Sequence, residues 1–131
     1  MMRWLWKRDP DRTLFELDRP TLMEKWFALF CETWRPRGLN LLGFGDAGET
    51  VWAKDSVEGH WLALIPAMIR IELVAGGELD DVPQAREPRA VVAVFRWDRR
   101  TWVPDGRAIF NLTPHQMIER SGGRWLIQQP A

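Results

Sequence analysis

Between residues 21 and 34, apolar side chains recur at helical spacing: Leu22, Trp26, Leu29 and Phe30 fall at i, i+4, i+7 and i+8. They trace one face of a 3.6-residue period, and the stretch is predicted as the one long helix. Met23, Phe27 and Trp34 widen the stripe, so most of that helix is expected to be buried. Thr21 and Glu24 have capping-box spacing at its start, and Pro36 and Gly38 stop it. Residues 1–19 carry no such period. Asp9-Pro10-Asp11 is a turn signal, and Leu14, Phe15 and Leu17 read as a short strand or part of an N-terminal arm.

From Leu39 onward the pattern changes to short apolar runs between turn signals. Residues 39–44, 49–54 and 60–65 are predicted strands, with Gly45-Asp46-Ala47-Gly48 as the turn between the first two. Pro66 should bend the third or place it on an edge. Ile69, Ile71 and Leu73 alternate with Arg70 and Glu72, a half-buried strand. Residues 75–89 hold Gly76, Gly77, Pro83 and Pro88 and read as a loop. Residues 90–97 are nearly all apolar and read as a central strand, and 107–112 as another beyond turns at Asp98-Arg99-Arg100 and Pro104-Asp105-Gly106. Residues 115–120 and 124–129 are expected to form a C-terminal hairpin around Gly122-Gly123, with Ile118, Trp125 and Ile127 facing the core. The expected fold is α+β: one long N-terminal helix packed on a twisted, mainly antiparallel β-sheet ending in that hairpin, all in a single domain, 1–131, with 1–19 as its arm.

Composition narrows the class. The chain of 131 residues is 46% apolar and 27% charged, which excludes disordered and collagen-like chains, and one Cys excludes a disulfide scaffold. Its 18 basic and 18 acidic side chains argue against a generic nucleic-acid binder. Neutrality conceals a pattern. Residues 1–37 hold 8 basic and 6 acidic side chains, residues 38–88 hold 3 and 9, and residues 89–131 hold 7 and 3. The acidic maximum is Glu78-Leu79-Asp80-Asp81, where close like charges need water or a cationic partner. The composition also holds nine Trp and no Tyr. Most of these indoles fall where a helix-on-sheet core would bury them. Trp4 and Trp6, flanked by Arg3, Lys7 and Arg8, are read as docking on that core, with contact to a membrane interface as the alternative. Trp102, beside Arg99 and Arg100, is expected to be an exposed interface anchor.

The candidate chemistry is thin. Gly43-Phe44-Gly45-Asp46-Ala47-Gly48 matches G-x-G-x-x-G, but a strand-like segment follows it instead of a helix, so a hairpin turn is the expected reading. His60 and His115 are the only histidines, and each reads as a surface or capping residue. They and the lone Cys31 are too dispersed for a zinc set, and Cys31 lies among apolar helix neighbours that disfavour a thiolate. No catalytic, cofactor or metal residue is assigned. No run approaches the roughly 20 apolar residues of a membrane span, no signal-peptide core is present, and a cytoplasmic location is expected.

Two stretches carry a family resemblance. Leu41-Leu42-Gly43-Phe44-Gly45-Asp46-Ala47-Gly48-Glu49-Thr50-Val51-Trp52-Ala53-Lys54-Asp55, after a Trp-bearing helix, resembles the glycine-rich hairpin of SUKH-type immunity proteins. That resemblance implies a small α+β protein that neutralises a toxin by binding it. Val91 to Trp97, Arg107 to Asn111 and the segment from His115 to Gln129 are similar to the closing strands of SnoaL-like and ketosteroid-isomerase-like domains. That one implies a curved sheet wrapped around helices with a pocket between, and no residue matches its catalytic acid or base.

The functional expectation is a non-catalytic protein-binding module, an immunity or adaptor protein, with Trp102, Arg99, Arg100, Glu78, Asp80 and Asp81 as partner-binding residues. The partner would be a protein, a basic one if it meets the acidic segment, and homodimerisation through exposed Trp is a further option. The alternative is a small-molecule-binding domain or enzyme with a pocket in a SnoaL-like sheet. That reading needs a deep apolar cavity with His60 or His115 beside a carboxylate, and a filled core would count against it.

Overall fold

The structure is a computed structural model that describes residues 10–33, 39–73 and 88–128. Their order is α1 (Arg12–Thr33), β1 (Leu39–Asp46), β2 (Val51–Asp55), β3 (Trp61–Leu73), β4 (Arg89–Asp98), β5 (Thr101–Phe110), α2 (Pro114–Arg120) and β6 (Trp125–Gln128). The fold is α+β, with α1 packed on an antiparallel sheet ordered β5-β4-β3-β2-β6 and with β1 also paired to β3. Trp4, Trp6, Trp34, Glu78, Asp80 and Asp81 lie outside the described residues.

The long helix begins nine residues before its expected start. Asp11 accepts a hydrogen bond from the Leu14 amide at 2.8 Å, the N-cap role that the Thr21–Glu24 spacing had suggested for Thr21. Phe15 thus belongs to the helix and is fully buried, not part of an extended arm. Pro20 sits inside the helix, where its ring removes the hydrogen bond to the Glu16 carbonyl. Of the expected apolar stripe, Leu22, Met23, Trp26 and Phe30 are buried, but Phe27 and Leu29 are only partly so, and five of the helix's 22 residues are buried where most were expected to be.

β3 organises the sheet. One side pairs with β4, from Leu62↔Arg96 to Ile69↔Arg89. The other side takes β2 at Val51↔Leu64 to Lys54↔Trp61, and then β1 at Asp46↔Ala67 to Leu39↔Leu73. So β1 and β2 follow one another along the same edge of β3, and the expected hairpin at Gly45-Asp46-Ala47-Gly48 does not form. Residues 47–50 instead bulge out opposite Ile65 and Pro66. The Pro66 carbonyl accepts from the Ala47 amide at 3.0 Å, so the proline nitrogen also faces this gap between β1 and β2. The missing N–H therefore costs no ladder bond, and β3 runs straight through Pro66 where a bend or an edge was expected.

Arg19 of α1 clamps that bulge. Its guanidinium donates to both Asp46 oxygens at 3.1 and 2.6 Å, to the Gly48 carbonyl at 2.6 Å and to Thr50 Oγ1 at 3.0 Å. Glu16 completes the group by accepting from Thr50 Oγ1 at 2.8 Å. A Cβ on Gly48 would stand 2.9 Å from Pro66 Cγ, whereas one on Gly45 would meet nothing within 4 Å. A proline ring held in a strand cannot swing aside, so Gly48→Ala should cost about 1–3 kcal/mol. Gly45→Ala is the internal control and should change stability much less; urea melts of both variants check the pair.

The expected turn at Pro104-Asp105-Gly106 is a bulge inside β5, since Ala93 pairs with Ala108 and Phe95 with Pro104. Gly106 supplies the positive φ of 85° that this irregularity needs, and Leu29 of α1 lies 3.3 Å from where its Cβ would be. The first strand expected in the C-terminal hairpin is α2. Thr113 and Gln116 form a reciprocal capping box, with Pro114 in the first turn, and this outweighs the strand-like spacing of residues 115–120. β6 then pairs with β2 from Asp55↔Trp125 to Trp52↔Gln128.

The sheet buries both faces. On one, α1 brings Phe15, Trp26 and Phe30 against Trp52, Ile65 and Phe95. On the other, Met117 of α2 and Trp125 of β6 join Leu62, Leu64, Val92 and Val94. Residues 62–65 of β3 and 91–95 of β4 are buried on both faces, because successive side chains face different helices.

Candidate functional site

Of the sequence-derived site residues, Arg99, Arg100 and Trp102 lie among the described residues. Arg99 and Arg100 are exposed at the two-residue tip joining β4 to β5, Arg99 with a φ of 57°. Trp102, expected to be exposed beside them, is buried. Side chains alternate across a strand, and Trp102 lies on the α1 face opposite Trp97. Its ring meets Phe15 at 5.1 Å, Trp97 at 5.3 Å and Trp52 at 5.6 Å, and its Nε1 donates to the Asp11 carbonyl at 2.9 Å. It therefore anchors the start of α1 to the sheet and offers no surface to a partner.

Arg12 explains more of the Trp excess. Its guanidinium lies 5.2 Å from the Trp52 ring centre and 5.8 Å from that of Trp61, while Lys54 Nζ lies 5.1 Å over Trp61. The row of indoles at this end of the sheet is thus roofed by the chain's own cations.

A different corner has the features of a docking surface. Val57 sits on the turn between β2 and β3, and Leu126 and Ile127 sit on β6; all three are exposed large apolar side chains. The turn and strand are hooked together, since Ser56 donates to the Arg124 carbonyl from its amide and its hydroxyl, both at 2.7 Å. Among the described residues β6 pairs on one side only, with β2. Its four residues, Trp125-Leu126-Ile127-Gln128, include neither a charge nor a proline, the usual guards of a sheet edge. Strand alternation gives the Ile127 main chain to the outer side. The Asp55 amide donates to His60 across β3, so Lys54 and Trp52 face β6, and their partners Leu126 and Gln128 face inward.

Polar groups surround that corner. Asp55 is nearly fully buried, and Oδ1 accepts from the Val57 and Glu58 amides at 2.9 and 3.1 Å. Arg124 lies against the same carboxylate at 3.3 Å and reaches Glu58 at 3.5 Å. Burial pushes the Asp55 carboxyl upward, but the hydrogen bonds from the Glu58 and Val57 amides and the Arg124 charge outweigh it and hold the group below its ordinary value. His60 Nδ1 lies 3.2 Å from Glu58 Oε2, with both side chains half exposed. That is a surface histidine–carboxylate pair. His115 is exposed on α2. Among the described residues no group of three His, Cys, Asp or Glu is placed to hold a metal, and no helix is long and apolar enough to cross a membrane.

Sequence reasoning missed this corner because it turned Ile127 toward the core in a hairpin with Ile118. The signal that could have corrected it is Thr113-Pro114-His115-Gln116, a capping box with a proline in the first helical turn. Comparison with protein-family models, curated proteins and solved structures finds no match.

Proposed function

We propose that the protein is a non-catalytic protein-binding module, an adaptor or immunity protein. It takes an extended segment of a partner polypeptide along the outer side of β6. The observation that carries this reading is the unguarded β6 edge with Leu126, Ile127 and Val57 exposed around it. An open edge offers main-chain groups to an added strand, and flanking apolar side chains supply contact area on both faces. The aromatic packing of Phe15, Trp26 and Phe30 between α1 and the sheet favours this over a pocket enzyme, since that face is filled by side chains. A single cysteine, Cys31, suits a reducing compartment, and the cytoplasm is the proposed location.

The test is comparative capture from native lysate on immobilised wild type, Ile127→Lys and the double variant Arg99→Glu, Arg100→Glu. Ile127→Lys should lose the bound protein, because a charge on the strand blocks edge addition. The double arginine variant should retain it. Retention by Ile127→Lys with loss from the arginine variant would move the binding surface to the β4–β5 tip and overturn the β6 reading.

A further inference from the structure

The α2–β6 segment is attached differently from the rest of the sheet. It leaves β5 through Asn111, which holds a positive φ of 61°, and Thr113 starts α2 with its own capping box. It contributes three buried side chains, Pro114 and Met117 of its helix and Trp125 of its strand, while Leu126 and Ile127 remain exposed. Much of its internal bonding is local: Met117 and Ser121 amides donate within the helix, and the Trp125 amide donates back to Ser121 Oγ at 3.0 Å. Its links to the sheet include the β2–β6 ladder, the Arg124 contacts with Asp55 and Glu58, the Ser56 bonds to the Gly123 and Arg124 carbonyls, and the packing of Met117 and Trp125 on Leu62, Leu64, Val92 and Val94. β3 and β4, by contrast, are paired on both sides, and they keep Leu62 to Ile65 and Val91 to Phe95 buried.

We infer that residues 113–128 form a strap that opens as one unit about Asn111, ahead of global unfolding. Opening unpairs the Trp52 and Lys54 main chain on β2 and bares the sheet face formed by Leu62, Leu64, Val92 and Val94. The α1 side of the sheet stays packed, because none of the strap's residues belongs to that cluster. The closed protein then presents a narrow edge at β6, and the open one presents a broad apolar groove beside a fresh strand edge. The Asp55–Arg124 contact is the clasp, joining the last residue of β2 to the residue just before β6. This inference stands on the strap's own attachments and not on the docking reading; either can fail without the other.

Native-state hydrogen exchange of the full chain in low urea tests it. The amides of Met117, Ser121, Leu126 and Gln128 should share one opening constant, larger by about a hundredfold than that of Ala63, Leu64 and Val94, as expected of a sub-global unit. Their exchange should also depend less steeply on urea, since less surface is exposed. Arg124→Ala should raise exchange of the strap amides by about tenfold and leave the β3–β4 amides nearly unchanged. Strap and β3–β4 amides lying on one isotherm in wild type would overturn the inference, whether or not the variant folds. So would an equal rise at both sets in Arg124→Ala.

Discussion

Trp26→Ala should lower stability by about 3–5 kcal/mol, among the largest losses available to a single substitution in this chain. The side chain is fully buried between α1 and the sheet. Its ring stacks on Phe30 with centres 5.5 Å apart and planes 8° apart, and meets Phe44 edge-on at 6.2 Å. Alanine there removes the transfer energy of a large apolar group and leaves a cavity walled by aromatic rings that cannot collapse into it. The indole also carries a cost of its own, because its Nε1 is buried without a hydrogen-bond partner. Trp26→Phe removes that donor and keeps most of the packing, so it should lose less than half as much as the alanine variant. Urea melts followed by far-ultraviolet circular dichroism are the suitable measure, since nine indoles blur any single fluorescence signal. A loss below about 1 kcal/mol for Trp26→Ala would mean that the buried face of the helix is misassigned.

The face holding Trp26 was legible because helical periodicity survives any tertiary context: Leu22, Met23, Trp26 and Phe30 had to share a side. The helix start was less legible. Phe15 is as strongly buried as Trp26, but it precedes Pro20, and a proline is ordinarily taken as the boundary of a helix and not as part of its third turn. The glycine motif misled for a similar reason. Gly45 and Gly48 signal a break in the strand, which does occur. Whether the chain reverses there or runs on along the same neighbour depends on a proline in another strand and on Arg19, both remote in sequence. Long-range partners of that kind leave no local trace.

The site was less legible than the fold. Trp102 and the Arg99-Arg100 pair are adjacent in sequence, yet a two-residue turn ends between Arg100 and Thr101, so exposed tip and buried strand are neighbours. Charge density therefore marked a surface, and an adjacent aromatic was assigned to it by proximity alone. Strand alternation put Ile127 on the side of Trp125, expected to face the core, and Leu126 on the other face. Their exposure follows from β6 having one strand neighbour among the described residues and from α2 taking the place that a hairpin partner would have filled.

Asp55→Ala should cost about 2–3 kcal/mol at neutral pH, and the cost should fade in acid. The carboxylate is nearly fully buried, and the groups around it all favour its charged form: two turn amides on Oδ1 and the Arg124 guanidinium. Alanine would leave the Val57 and Glu58 amides without their acceptor. It would also release Arg124, although the exposed side of that guanidinium can be rehydrated, which keeps the loss below that of a wholly buried pair. Asp55→Asn separates these effects. Its amide oxygen can still accept from the turn, while its NH2 group faces the Arg124 cation, so it should cost about 1–2 kcal/mol. The pH dependence has a definite sign. Because the folded-state carboxyl is held below its ordinary value, its contribution is complete above the unfolded chain's value of about 3.9 and is lost as pH falls through the folded value. The stability difference between wild type and Asp55→Asn should therefore be flat from pH 7 to about 5 and shrink below about 4. A difference that stays constant to pH 3, or grows, would mean that the charge on Asp55 does not hold the β2–β3 turn to Arg124.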